Sequence, residues 1–443
     1  MKISVFAVLC AGVALAETPS VVAIRNARVV TVSGPILDRA TVVVRDGLIE
    51  AVGQDISPPP GSWIIEGQGL TVYPGLIDAL STWGIPQSTT TVVRTGAQGP
   101  SPAPGVAVTP PPARGPEDRP STTSWITAAD LIQPSDRRIE MFRSAGFTTA
   151  VTFPTRGIFA GQGSVINLAG EKPGQMVVAS PVGQYVSLMS GSFASFPGSL
   201  MGVIAYIRQV ELDAEHYKTV EAAYDKTPRG RPRPEYDRAL DGVLASPRLL
   251  LPANRAVEIT RMIAFGKELK QPYVLYGMVE AYRASGELKA AGIPVLVNLR
   301  WPERPRDADP ELVESYRVLE ARDRAPSSPA ALAKAGVKFA LYSGGIQRPR
   351  DLMRAVKRAI DAGLPSDAAV RAMTLNAAEI YGVADRLGSI EKGKIANLVV
   401  VKGDLFQDNA EVKYIIIDGA KYEPVPEPPA PPSGPRTPTG EEQ

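Results

Sequence analysis

The chain has 443 residues, of which 44% are hydrophobic and 21% charged, proportions that suit one large globular body with a smaller companion. Lys and Arg number 48 against 46 Asp and Glu, a net charge of +2, which lacks the basic excess that a nucleic-acid partner calls for. One histidine, His216, and one cysteine, Cys10, leave no Ser-His-Asp relay, thiol chemistry or His/Cys zinc site to assemble without another chain.

In chain order, Lys2 precedes an apolar run from Ile3 to Leu15 that closes on Ala14-Leu15-Ala16. That is the pattern of a secretory signal peptide over residues 1–16, and export to the bacterial periplasm or beyond the cell is the expectation. Cleavage there removes Cys10 and with it any disulfide. No later stretch is long and apolar enough to span a membrane, so no transmembrane segment is expected in the mature chain.

Residues 20–73 read as short strands: Val21–Ala27, Ala40–Val44, a hairpin turn at Arg45-Asp46-Gly47, then Leu48–Val52, Trp63–Ile65 and Leu70–Tyr73. The same texture returns at Leu398–Val401 and Tyr414–Ile417, with a turn at Asp418-Gly419. The two ends are therefore expected to build one composite β-sandwich domain, residues 17–73 plus 390–422.

Between them strands alternate with helices. Strands are expected at Leu76–Leu80, Thr148–Phe153, Gln184–Met189, Leu249–Leu251, Tyr273–Tyr276, Pro294–Leu299 and Lys338–Tyr342. Helices are expected at Arg137–Ser144, Leu200–Tyr224, Arg255–Leu269, Val279–Ala290, Ala330–Ala335, Arg350–Ala362 and Ser366–Leu375, with Ser366 as an N-cap. Such alternation gives a parallel sheet covered by helices, here an α/β (β/α)8 TIM-like barrel over residues 74–389, for which seven strands are legible. Proline, at 42 residues, is about twice the average share. It concentrates in an insertion at residues 100–120 and a tail at 423–443, where an extended, unstructured chain is expected.

Several motifs resemble the amidohydrolase superfamily, in its imidazolonepropionase- and dipeptidase-like branch. Near the start these are Val44–Val52 (VRDGLIEAV), Gly67-Gln68-Gly69 and Val72–Asp78 (VYPGLID). Further on come Ala145–Phe153 (AGFTTAVTF), Ala160–Gly170 (AGQGSVINLAG), Ala368–Gly382 (AAVRAMTLNAAEIYG) and Arg386–Ile395 (RLGSIEKGKI). The resemblance implies hydrolysis of a non-peptide C–N bond or a dipeptide-like amide by water on zinc or another divalent metal. It also implies ligands at the carboxyl ends of the barrel strands: His-x-His after the first, often a bridging carboxylated Lys, one His at each of two later strands and an Asp at the last. The aligned residues here are Ala79-Leu80-Ser81-Thr82, Leu250–Asn254, Leu275-Tyr276-Gly277 and Tyr342-Ser343-Gly344-Gly345, with no histidine among them. The expectation is a chain without a metal cofactor, a degenerate member that binds a small-molecule ligand or partners an active paralogue in a homo- or hetero-oligomer. The alternative is an active hydrolase with a carboxylate site drawn from Asp78, Glu280 and Glu303. Read structurally instead, Asp78 bonds nearby backbone and Glu280 sits at a helix start, where negative charge is stabilised.

Ser81, Asn254, Asn298, Arg300, Tyr342 and Ser343 fall at expected strand ends and are the candidates for a ligand pocket. Trp301 beside them reads either as part of that pocket or as loop packing. His216 lies on a helix beside Asp213 and Glu215 and reads as solvated. Pro228–Pro234 (PRGRPRP) resembles a DNA minor-groove hook but reads better as an exposed basic turn. Gly161-Gln162-Gly163 lacks the setting of a phosphate loop and reads as a small β excursion.

Overall fold

The computed structural model describes residues 21–86, 115–190 and 196–425, apart from 306, 310, 312 and 408. The expected signal peptide lies outside the described residues, as do residues 100–114 of the proline-rich insertion and 426–443 of the tail.

The first strands are β1 (Val21–Val30), β2 (Ile36–Arg45), β3 (Leu48–Gly53), β4 (Trp63–Glu66) and β5 (Leu70–Pro74). The barrel opens with β6 (Leu76–Ser81), then α1 (Arg137–Ser144) and β7 (Phe147–Thr152). An excursion follows through β8 (Phe159–Gln162), β9 (Ser164–Asn167), α2 (Pro173–Met176) and β10 (Val177–Ala179) to β11 (Gln184–Val186). Next come α3 (Leu200–Lys226), α4 (Arg238–Leu244), β12 (Leu249–Ala253), α5 (Ala256–Glu268), β13 (Tyr273–Gly277), α6 (Ala281–Ala291) and β14 (Val295–Asn298). The barrel ends with α7 (Tyr316–Arg324), α8 (Ser328–Ala335), β15 (Phe339–Tyr342), α9 (Pro349–Asp361), α10 (Ser366–Ala372) and α11 (Leu375–Tyr381). The chain then returns to the first domain as β16 (Leu398–Lys402), β17 (Glu411–Ile417) and β18 (Ala420–Tyr422).

Strands from both ends form one eight-stranded sheet, β18-β17-β16-β5-β1-β2-β3 with β4 on β1, rather than two separate sheets. Its alternating apolar residues, among them Ile24, Val42, Val44, Leu398, Val400 and Ile416, meet in one core. Asn397 locks this sheet to the barrel. Its amide nitrogen donates to Asn167 Oδ1 (2.7 Å) and Thr149 Oγ1 (3.1 Å), and its oxygen accepts from Asp418 N (2.9 Å).

Seven parallel strands carry the TIM-like barrel: β6 pairs with β7, and β11 through β15 pair in succession. An eighth parallel strand is absent among the described residues. The connection from β11 to β12 runs through α3 and α4, and those two strands pair directly. Between β15 and β6 there is no ladder either. There α11 and the turn before it satisfy the edges: Ile77 N donates to Met373 O (2.7 Å), Tyr381 Oη to Ala79 O (2.6 Å) and Asn376 Nδ2 to Phe339 O (2.8 Å). The single helix expected over Ser366–Leu375 is in fact the whole of α10 and the first residue of α11, broken at Met373-Thr374 where Met373 O turns toward β6. Ser366 is the first helical residue of α10, after Pro365, rather than its N-cap.

Candidate functional site

In a parallel barrel, side chains at the carboxyl ends of the strands converge on one mouth. Here that end is filled by aromatic rings. Tyr185 stacks on Tyr276 with centroids 5.1 Å apart, and Phe153 lies 6.2 Å from both Tyr185 and Tyr381. Tyr276 Oη donates to Val186 O at 3.0 Å. Burial raises the hydroxyl pKa values of Tyr276, Tyr342 and Tyr381 well above the usual tyrosine range, so these phenols stay neutral. The alternation of β13 and β15 between apolar and tyrosine positions places Tyr276 and Tyr342 inward, beside Val274, Leu296 and Ala340.

Asp78 occupies the seam between β6 and β15. Its Oδ1 accepts from Ser343 N (3.0 Å) and weakly from Leu80 N (3.4 Å), standing in for a missing ladder bond. Its Oδ2 is buried without a partner among the described residues. Burial pushes the carboxyl up to about 7, and the bonds from Ser343 and Leu80 only partly oppose this.

The other carboxylates do not join it. Glu280 sits at the start of α6 and turns sideways, its Oε2 accepting from Ala256 N at 3.0 Å, the first residue of α5. Its charge is held at two helix starts. Glu303 is exposed and pairs with Arg358 of α9 at 3.0 Å.

The pocket candidates likewise have internal partners. Ser81 Oγ accepts from Trp83 N at 3.3 Å. Asn298 Oδ1 accepts from Arg300 N at 2.8 Å and lies where a Cβ on Gly344 would fall, which explains a glycine there, at φ +59°. Asn254 is exposed and sits against Gly277 in the same way. Arg300 is exposed, whereas Trp301 is buried and donates from Nε1 to Ala355 O at 2.9 Å. The structure thus brings Asp78, Ser343 and Tyr342 together in the seam. It leaves Glu280, Glu303 and Arg300 apart. His216 is exposed on α3, and residues 228–233 are exposed after that helix. Gln162 lies in the β8–β9 excursion, donating to Gln184 Oε1 (3.0 Å) and Gly242 O (2.5 Å).

A divalent metal does not fit these residues. Ca²⁺ or Mg²⁺ takes six or more oxygen ligands, and zinc favours nitrogen or sulfur. The strand ends offer one carboxylate, itself turned to backbone amides, with hydroxyls and a carboxamide already bonded. No group of three or more His, Cys, Asp or Glu that could hold a metal ion occurs among the described residues.

The aromatic filling was not foreseen from the sequence. Tyr185, Tyr276 and Tyr381 sit in apolar runs that read as ordinary strand or helix. The signal available was tyrosine at two strand ends aligned with the family's ligands, Tyr276 and Tyr342.

Comparison with known proteins bears on the whole chain. The family model described as Amidohydrolase family matches residues 305–421. An amidohydrolase from Thermotoga maritima MSB8 is similar over 91% of this chain and 100% of its own, with 26% identity and a TM-score of 0.73. A prolidase complexed with N-methylphosphonate-L-proline shares the fold at 16% identity and a TM-score of 0.52, covering 91% of this chain and 99% of its own. Molinate hydrolase does so at 16% identity and 0.51, covering 96% and 100%. A search of curated proteins finds no match. These matches ally the chain with the amidohydrolase superfamily: residues 305–421 fit the family model, and the fold as a whole is similar to that of the Thermotoga maritima amidohydrolase.

Proposed function

We propose that this chain is a metal-free amidohydrolase-fold protein, exported, that binds a ligand or an active relative instead of hydrolysing amides with metal-bound water. The observation that carries this reading is the seam at Asp78. The carboxylate nearest the strand ends accepts from Ser343 N and Leu80 N, and the surrounding ends are closed by tyrosines. The partnering role draws support from apolar side chains left exposed after β11 (Met189, Leu200, Met201) and after β14 (Val313, Tyr316, Leu319), on connections that leave the same end of the barrel. Elemental analysis of protein purified without chelator or His tag is the test. Less than about a tenth of a metal ion per chain is expected, since catalytic zinc sites retain their metal; near-stoichiometric zinc, manganese or iron overturns the reading. Co-purification of a histidine-bearing relative supports partnering, and a strictly monomeric, unaccompanied chain removes it. Export is checked by the amino terminus of the secreted protein, expected at Glu17.

One observation favours a second reading. An acid raised to about 7 with a free, buried Oδ2 is poised for proton transfer near neutrality. In that case the chain is an active hydrolase acting through Asp78. Turnover of N-acyl or dipeptide substrates must then vanish in Asp78→Asn while the fold persists; turnover unaffected by that change rejects it.

A further inference from the structure

A large open space lies away from the barrel mouth. It is a groove of about 930 Å³ on the flank, between α1 and α9 and the segment that leads into β17. Its apolar lining includes Met141, Met353, Phe406 and Val412, and its rim carries Arg137 and Arg350. These two arginines are exposed and have no acidic partner within ion-pair distance among the described residues. Arg354 and Lys357, also on the rim, pair with Asp351 and Asp361 of their own helix.

The chain itself runs into this groove. Leaving β18, Tyr422 lies under the Arg143 guanidinium at 4.4 Å. Three residues on, Val425 N donates to Ser144 Oγ at 3.0 Å, and Val425 lines the groove. Two successive contacts thus steer the chain along the end of α1 and deliver it to the groove's edge. The residues that follow are Pro-Glu-Pro-Pro-Ala-Pro-Pro, 426–432.

We propose that this groove receives the proline-rich segment 426–432 of the same chain, with Glu427 answering Arg137 and Arg350. Four arguments meet here. Seven residues in polyproline II geometry span about 22 Å, and the 13-residue α9 that forms one wall is about 20 Å long. Proline-rich segments hold that extended form in advance and lose little entropy on docking. Methionine thioethers and an aromatic ring make an adaptable apolar floor for pyrrolidine rings. The charges also favour docking: Glu427 would meet two guanidiniums, against one exposed lining carboxylate, Glu140, since Glu411 is paired with Lys413.

The test uses the full chain and a chain ending at Val425, with hydrogen exchange read at residues 137–145 and 349–357. A labelled peptide of residues 426–436 is titrated against both. Docking predicts slower exchange in the full chain. It also predicts that the peptide binds the shortened chain and binds the full chain at least tenfold more weakly, because the tethered segment competes at millimolar effective concentration. Arg350→Glu in the full chain should raise exchange to the level of the shortened chain, which keeps the test independent of how well the latter folds. Equal exchange in the two chains, or equal peptide binding by both, overturns the proposal. So does protection in the shortened chain that grows with protein concentration, since a second copy would then be the occupant.

Discussion

On the reading proposed above, the mouth of the barrel and the groove on its flank reverse the usual division of labour. In this fold the mouth carries chemistry and the outer helices carry packing. Here the mouth is built like a core. Tyr276 and Tyr381 bond backbone carbonyls, Asp78 bonds Ser343, and Asn298 bonds the amide of Arg300. The flank instead has open volume, an apolar floor and arginines free of acidic partners among the described residues. Fold position therefore says where a site could be built, and the side chains say whether one was.

If the mouth is structure, changes there should act on stability. The largest effect is expected from Trp301→Ala. This ring is 5% exposed and bonded to Ala355 O; its loss should cost about 3–5 kcal/mol in urea unfolding. A cost under about 1 kcal/mol would return Trp301 to the list of ligand-binding residues. Asp78→Asn should act through pH. With its pKa raised to about 7, the folded chain holds a proton that the unfolded chain has released above about pH 4. Stability should then fall as pH rises from about 4 to about 7 and level off above. Asparagine mimics the neutral acid, so the variant should match the parent near pH 4 and exceed it at pH 8 by on the order of 4 kcal/mol at most. Glu211, buried on α3 and also pushed up to about 7, leaves a parallel slope in the variant. Identical pH slopes for parent and variant would show that Asp78 ionises as freely folded as unfolded. Tyr381→Phe removes only the bond to Ala79 O, an expected cost of about 1–2 kcal/mol in the same assay.

Much of this architecture was legible in the sequence because its signals are local. All seven expected barrel strands are present, set by short apolar runs between turns, and Arg137–Ser144 is helical over the span its pattern gave. The motif VYPGLID led to the fold because β5 and β6 abut across Gly75, where a Cβ would fall 2.0 Å from Thr148 Oγ1. What the sequence hid depends on distant contacts. That Asp78 closes a seam requires Ser343, 265 positions away. The break between α10 and α11 follows from β6 needing Met373 O as an acceptor, which no propensity at Met373-Thr374 announces. Glu280 lay at a helix start, as read, but the helix whose first amide it holds is the neighbouring one.

The smallest expected effect sharpens the comparison most. Arg350 is exposed on the first turn of α9 and contributes no ion pair among the described residues. Arg350→Ala should therefore leave unfolding free energy within about 0.5 kcal/mol of the parent. A guanidinium at a helix amino terminus opposes the helix dipole, so in the chain ending at Val425, which lacks Glu427, any change should be toward greater stability. A residue with so little structural work, on the rim of the flank groove, is free to serve binding. A loss above about 1 kcal/mol would mean that Arg350 holds the native flank together through a partner beyond the described residues. Repeating the measurement on the chain ending at Val425 locates that partner: if the loss disappears there, the partner lies in residues 426–443, and if it persists, the flank is structural and the contrast with the mouth collapses.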